Sequence, residues 1–261
     1  MPFTCFEASL YSTILIVDPE EEFFADEIEK LKIDLKQNGL SLALFADWYD
    51  ENVMREKSYF DDNMKHWINP ITAGSNIPAI NQLLLDFDIQ LGNNVYIGHI
   101  KIASQMTYYA SGTSIARFPK NGVLYFFSLI DESKRYLHKK RVKATVPVLG
   151  LYSIPSSKDV NGGFGRIAIF GDSSCLVSSF QDCLLLFSSI LDFTSKGISP
   201  ALSIPGTILV EDFIHDIVSL PQRIPGNRHF LYSKLSGSKP NCSVTVMKND
   251  LLEKSNLEAV L

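Results

Sequence analysis

Thr13-Ile-Leu-Ile-Val-Asp18, Ser41-Leu-Ala-Leu-Phe-Ala-Asp47 and Arg166-Ile-Ala-Ile-Phe-Gly-Asp172 share one pattern, an apolar run that stops at an aspartate. A short, nearly continuous apolar run reads as a strand buried on both faces, and strands of that kind are mostly parallel. Each aspartate stands where the chain leaves the core. There a carboxylate either caps a following helix or lines the crevice outside the strand ends.

Working outward from the first run, Asp18-Pro19-Glu20-Glu21-Glu22 carries the signals of a helix start: a capping aspartate, proline at the first position and acids in the first turn. Phe24, Ile28, Leu31 and Leu35 then recur at spacings of four, three and four, which is one face of a helix. Asn38-Gly39 ends it as a left-handed cap, and the second strand follows over 40–46. This is a β-α-β unit with a right-handed crossover. Residues 48–75 have no clear period. Their aromatic residues Trp48, Tyr49, Tyr59, Phe60 and Trp67 predict a loop packed over the strand ends. Gly74-Ser-Asn76 introduces a second helix with Pro78 near its start. Strands are expected through 94–130 and again over 146–154. The connection from there to the Asp172 strand, through 155–165, is too short for a helical crossover, so those two strands should pair antiparallel. Phe180, Leu184, Phe187 and Leu191 predict a last clear helix over 179–195, ended by Gly197 and Pro200.

The fold expected is therefore α/β, a mostly parallel, flavodoxin-like sheet with helices on both faces and one antiparallel pair near its C-terminal end. Residues 1–197 would form the domain. Residues 198–261 would form an irregular tail, with one amphipathic helix over 209–220. The first strand meets acid at once and has no preceding unit to pair with, so the domain is expected to be truncated at its N-terminus.

Composition narrows the function classes. Hydrophobic residues make up 46% of the 261 positions, enough for a sizeable core, and the net charge of −5 argues against nucleic acid as a partner. No apolar stretch approaches the roughly 20 residues that span a bilayer, and Met1-Pro-Phe-Thr-Cys-Phe-Glu7 lacks the basic start of a signal peptide. Cys5, Cys175, Cys183 and Cys242 contain no C-x-x-C pair, and no cofactor or metal site is indicated. By spacing alone Cys175 and Cys183 are either two buried thiols or a bridge. Asp18, Asp47 and Asp172 are either three helix-cap or turn aspartates or a convergent crevice for a cation or a polar ligand. The basic run from Lys134 to Lys143 reads as a solvated loop face, the alternative being a contact for an acidic partner or lipid headgroups. Asn241-Cys-Ser243 is a glycosylation sequon, meaningful only in a secretory compartment.

Several long words resemble the membrane-bound site-1 proteases, subtilase-type serine endopeptidases that process transcription-factor precursors in the Golgi. They are Pro2-Phe-Thr-Cys-Phe-Glu-Ala-Ser9, Asn38-Gly-Leu-Ser-Leu-Ala-Leu-Phe-Ala-Asp-Trp-Tyr49, Ser75-Asn-Ile-Pro-Ala-Ile-Asn81, Tyr108-Tyr-Ala-Ser-Gly-Thr-Ser-Ile-Ala-Arg-Phe-Pro119 and Gly165-Arg-Ile-Ala-Ile-Phe-Gly-Asp-Ser-Ser-Cys175. The resemblance implies a luminal region that follows the protease domain. Its partners would be the protease domain of the same polypeptide and other luminal proteins. An oxidising lumen favours the Cys175–Cys183 bridge.

No catalytic residue carries over. Gly112-Thr-Ser-Ile-Ala116 looks like the subtilase nucleophile word, but the proline arrives one residue late, at Pro119, and none of His66, His99, His138, His215 or His229 is followed by glycine. The strand pattern also resembles class I glutamine-amidotransferase-like domains. There the nucleophile elbow after a central strand would fall at Phe45-Ala-Asp47-Trp-Tyr49, which holds neither cysteine nor serine. The reading is a non-catalytic accessory region with a structural or partner-binding role. The alternative is a free-standing amidotransferase-like or α/β hydrolase-like domain with a small ligand at the strand ends. A third is an interaction module unrelated to any protease.

Overall fold

The computed structural model describes residues 3–102, 105–134, 141–155, 165–176, 183–198, 207–209 and 220–224. The strands are β1 (Thr13–Val17), β2 (Ser41–Phe45), β3 (Tyr59–Asp61), β4 (His66–Ile68), β5 (Gln90–Leu91), β6 (Tyr96–Ile102), β7 (Gln105–Gly112), β8 (Ile115–Arg117), β9 (Val123–Asp131), β10 (Val142–Ser153), β11 (Arg166–Phe170) and β12 (Thr207–Leu209). The longer helices are α1 (Ala25–Gln37), α2 (Glu51–Glu56), α3 (Ile77–Leu84) and α4 (Leu184–Lys196), beside short 3-10 turns.

The main sheet runs β1-β2-β11-β10-β9-β6-β7, with β12 also paired to β9. β1, β2 and β11 are parallel. From β10 outward every pairing is antiparallel, including the β10–β11 pair expected from the short connection.

The two-faced burial of the central strands has a simple origin. Leu42 and Leu44 of β2, with Ile167 and Ile169 of β11, enter the core under α1 and α3. Ala43, Phe45, Ala168 and Phe170 point the other way, toward α4, β6 and β7. A period of two therefore fills two cores at once. β1 covers only one. Ile14 and Ile16 pack on the first core, while Leu15 and Val17 are 43% and 41% exposed.

Several local expectations shift. α1 begins at Ala25, not after Asp18, and its N-terminus is closed by Glu27, whose side chain accepts from the Phe24 amide at 2.8 Å. Asp18 is no cap because its carboxylate is taken by Ser75. Leu31 and Leu35 are buried as the spacing requires, and Gly39 is left-handed at φ 70°. α4 buries Leu186, Ile190 and Phe193, not Leu184, which lies exposed in the first turn. This helix is apolar on several sides, so spacing alone does not choose its inner face.

Trp48 and Tyr49 do lie against the core. Tyr59, Phe60 and Trp67 instead form the projecting β3–β4 hairpin, exposed, with the Phe60 and Trp67 rings stacked edge-on at 5.8 Å. Within the segment read as a tail, 207–209 pair with β9 and 220–224 dock on the domain. The helix expected over 209–220 and the sequon at Asn241 lie outside the described residues, apart from Leu209 in β12 and the exposed Leu220. So does most of the basic run.

Candidate functional site

β1, β2 and β11 lie side by side and each delivers an aspartate at its C-terminal end, so parallel pairing alone brings Asp18, Asp47 and Asp172 to one edge. Two chain segments stitch the three together. Ser75 donates to Asp18 Oδ1 at 2.6 Å, and its neighbour Gly74 lies flat on the Asp47 side chain. On the other side, the Ala110 amide donates to Asp172 Oδ2 at 2.6 Å, and Ser111 Oγ donates to Asp47 Oδ1 at 3.1 Å. The Trp48 amide donates to the same Asp47 oxygen at 2.7 Å. The Ser174 amide donates to Asp172 Oδ1 at 2.9 Å.

The crevice outside the strand ends is therefore filled by the protein itself. The amides of Gly74 and Ser75 donate to the Trp48 carbonyl, and the Asn76 amide donates to the Pro19 carbonyl at 2.8 Å. This pins the 74–76 segment between the ends of β1 and β2. A Cβ on Gly74 would sit 2.5 Å from Asp47 Cγ, so glycine is required there by close approach rather than by backbone angle. Gly171 has a similar constraint, since a side chain would strike the Tyr109 hydroxyl and the Thr113 carbonyl.

Burial and mutual repulsion set the charges. Asp47 is pushed up to about 7, first by burial and then by the neighbouring Asp172 and Asp18 carboxylates; its two hydrogen bonds offset only part of this. Burial also raises Asp18 and Asp172, against the hydrogen bonds each accepts. Tyr109, fully enclosed beside the acids, is held well above its ordinary value by burial and donates to the Thr113 carbonyl. The edge thus holds a proton near neutrality.

This arrangement can store a proton, but among the described residues it lacks the parts of nucleophilic catalysis. The elbow position after β2 is Asp47. Ser111 faces Asp47, and the two described histidines, His66 and His99, are both exposed and lie outside the crevice. Ser114 is buried beside the Tyr96 phenol. Among the described residues no group of three His, Cys, Asp or Glu side chains is placed to hold a metal ion. Beside the crevice lies a cleft of about 240 Å³, lined by Trp48, Lys57, Tyr108, Ser111 and Glu132 among others. That is below the roughly 300–1,000 Å³ of ordinary ligand pockets.

Cys175 and Cys183 are joined in a disulfide at the start of α4, with Cα atoms 5.4 Å apart. Cys5 is also disulfide-bonded, to a partner outside the described residues. Sequence reasoning found the three aspartates and this pair of cysteines. It missed Ser75, Ser111 and Gly74. By sequence Gly74 and Ser75 mark only the entry to a helix, and both serines fall in the words Ser75–Asn81 and Tyr108–Pro119.

A family model described as MBTPS1, fourth GATase-like domain, matches residues 1–205. The human membrane-bound transcription factor site-1 protease is 42% identical over 238 residues, covering 90% of this chain and 22% of that protein. The mouse protein agrees to the same extent. The Arabidopsis thaliana subtilisin-like protease SBT6.1 is 39% identical over 249 residues, covering 92% of this chain and 23% of that protein. The chain thus spans between a fifth and a quarter of the length of these curated relatives. Among the described residues no helix is long and apolar enough to cross a membrane.

Proposed function

The chain belongs to the site-1 protease family, matching its fourth amidotransferase-like domain, and from that premise we propose that it is a non-catalytic accessory region of a subtilase-type serine endopeptidase. Peptide cleavage then resides elsewhere in the polypeptide. This region packs with the protease domain and presents surface to other luminal proteins. The compartment is the lumen of the Golgi or secretory pathway. The Cys175–Cys183 bridge and the bonded Cys5 support an oxidising lumen, and the Asn241 sequon is a glycan acceptor in that setting.

One observation carries this reading. The strand-end crevice, where an open α/β sheet normally takes its ligand, is filled by Gly74–Asn76 and by Ala110–Ser111, with Asp47 at the elbow position. Filled space at the switch point weighs equally against the small-ligand alternative.

The test is enzymatic. The purified 261-residue chain is offered peptide and glutamine-amide substrates, and the full-length protease is assayed with and without Asp47→Asn. The expected result is no turnover by the chain, and unchanged turnover per folded molecule of protease. Hydrolysis by the chain that disappears in Ser111→Ala or Ser114→Ala would overturn the proposal.

A further inference from the structure

Residues 220–224 are held to the domain by side chains that lie 141 to 201 positions earlier in the chain. Pro221 and Ile224 are buried, Arg223 is half-buried and Gln222 is exposed, in a segment without regular secondary structure. The Tyr49 hydroxyl donates to the Gln222 carbonyl at 2.8 Å. Glu51 accepts from the Gln222 amide at 2.7 Å. Both backbone groups of Gln222 are thus met by side chains of the domain, contacts that do not depend on the side chain at that position.

Two positions add selectivity. Arg223 forks onto Glu22, Nε to Oε1 at 2.9 Å and Nη2 to Oε2 at 2.8 Å, and Nη2 also donates to Gln82 at 2.9 Å. The Glu22 side chain is 4% exposed. It also accepts from Asn76 Nδ2 at 3.2 Å, and Asn76 is fixed as the N-cap of α3. The carboxylate is therefore part of the wall, oriented from behind by the fold. Its planar pair of oxygens suits a guanidinium, and an ammonium cannot reproduce the fork. Ile224 completes the contact, inserted into the core under α1 and α3.

We propose that Glu22, Tyr49, Glu51 and Gln82 form a recognition groove for a peptide segment bearing an arginine followed by an aliphatic residue, with residues 220–224 as its resident occupant. The resident segment is covalently attached and so competes at an effective concentration of about millimolar. A peptide supplied from outside binds measurably only when the resident contact is weakened.

The experiment uses the full chain carrying Arg223→Ala and a capped Leu-Pro-Gln-Arg-Ile peptide, with a second peptide in which alanine replaces arginine. Binding is read by titration calorimetry. The arginine peptide should bind the variant saturably, at least about tenfold more tightly than the alanine peptide. It should bind the unsubstituted chain at least about tenfold more weakly than the variant. Adding Glu22→Gln to the variant should abolish the preference for arginine. Should Arg223→Ala not fold, Arg223→Lys takes its place, since it keeps the charge and loses the fork. A folded variant that fails to bind the arginine peptide, or binds both peptides equally, refutes the groove.

Discussion

Replacing Asp47 by asparagine should stabilise this domain in mild alkali and leave it almost unchanged in mild acid. The side chain has an ordinary value of 3.8 in the unfolded chain and about 7 in the fold. The folded state therefore holds a proton that the unfolded state has released, and the stability from this group is complete below 3.8 and lost as pH rises through 7. That gap, about 3 pH units at about 1.36 kcal/mol each, gives about 4 kcal/mol as an upper bound. Allowing for partial exposure, about 2–4 kcal/mol is the expected loss between about pH 4 and 8. The substituted amide would keep the oxygen that accepts from the Trp48 amide and Ser111 Oγ, and it would carry no charge toward Asp18 or Asp172. Urea unfolding at about pH 4 and pH 8 measures both ends. Wild type should weaken between them, and Asp47→Asn should weaken much less. Asp18 and Asp172 are raised by burial in the same direction, so a residual slope remains. Equal slopes in the two proteins, or an Asp47→Asn variant less stable at about pH 8, would refute the charge assignment.

Gly74→Ala places a methyl group against the Asp47 carboxyl and should cost about 1–3 kcal/mol, read by the urea midpoint. Replacing Cys175 and Cys183 together by serine opens a loop of eight-residue separation; chain entropy predicts a loss of about 2.5 kcal/mol, visible as a lower melting temperature. Leu15→Lys puts a charge on the exposed face of β1, which pairs on one side only among the described residues. It should change stability by less than about 0.5 kcal/mol and slow aggregation of the isolated chain, followed by light scattering.

The central strands were readable because their chemistry is local. A strand such as Leu42-Ala-Leu-Phe45 that fills cores on both sides has no polar face, and its unbroken apolar run says so. α1 was readable by its Leu31 and Leu35 stripe, but its start was not. Asp18, Pro19 and the acids after them imitate a cap, and only Ser75, 57 residues away, shows where that carboxylate goes. The three strand-end aspartates followed from the pattern, whereas the filling of their crevice did not. Ser111 lies 64 residues from Asp47, and Ala110 lies 62 from Asp172. No periodicity encodes such pairs. Arg223 is the extreme case, since its partner Glu22 is 201 residues back and the residues around it have no repeat. The β3–β4 aromatics were misplaced because a hairpin that projects and a loop that packs have the same composition.

Amide hydrogen exchange at Gly74, Ser75, Asn76 and Ala110 tests the filled crevice most directly, because these four amides close it by donating to Trp48, Pro19 and Asp172. A permanently closed strand-end edge predicts that they exchange only with global unfolding, together with the amides of β2 and β11. Exchange of these four within seconds, while the central strands stay protected, would show an edge that opens to receive a ligand and would contradict the account.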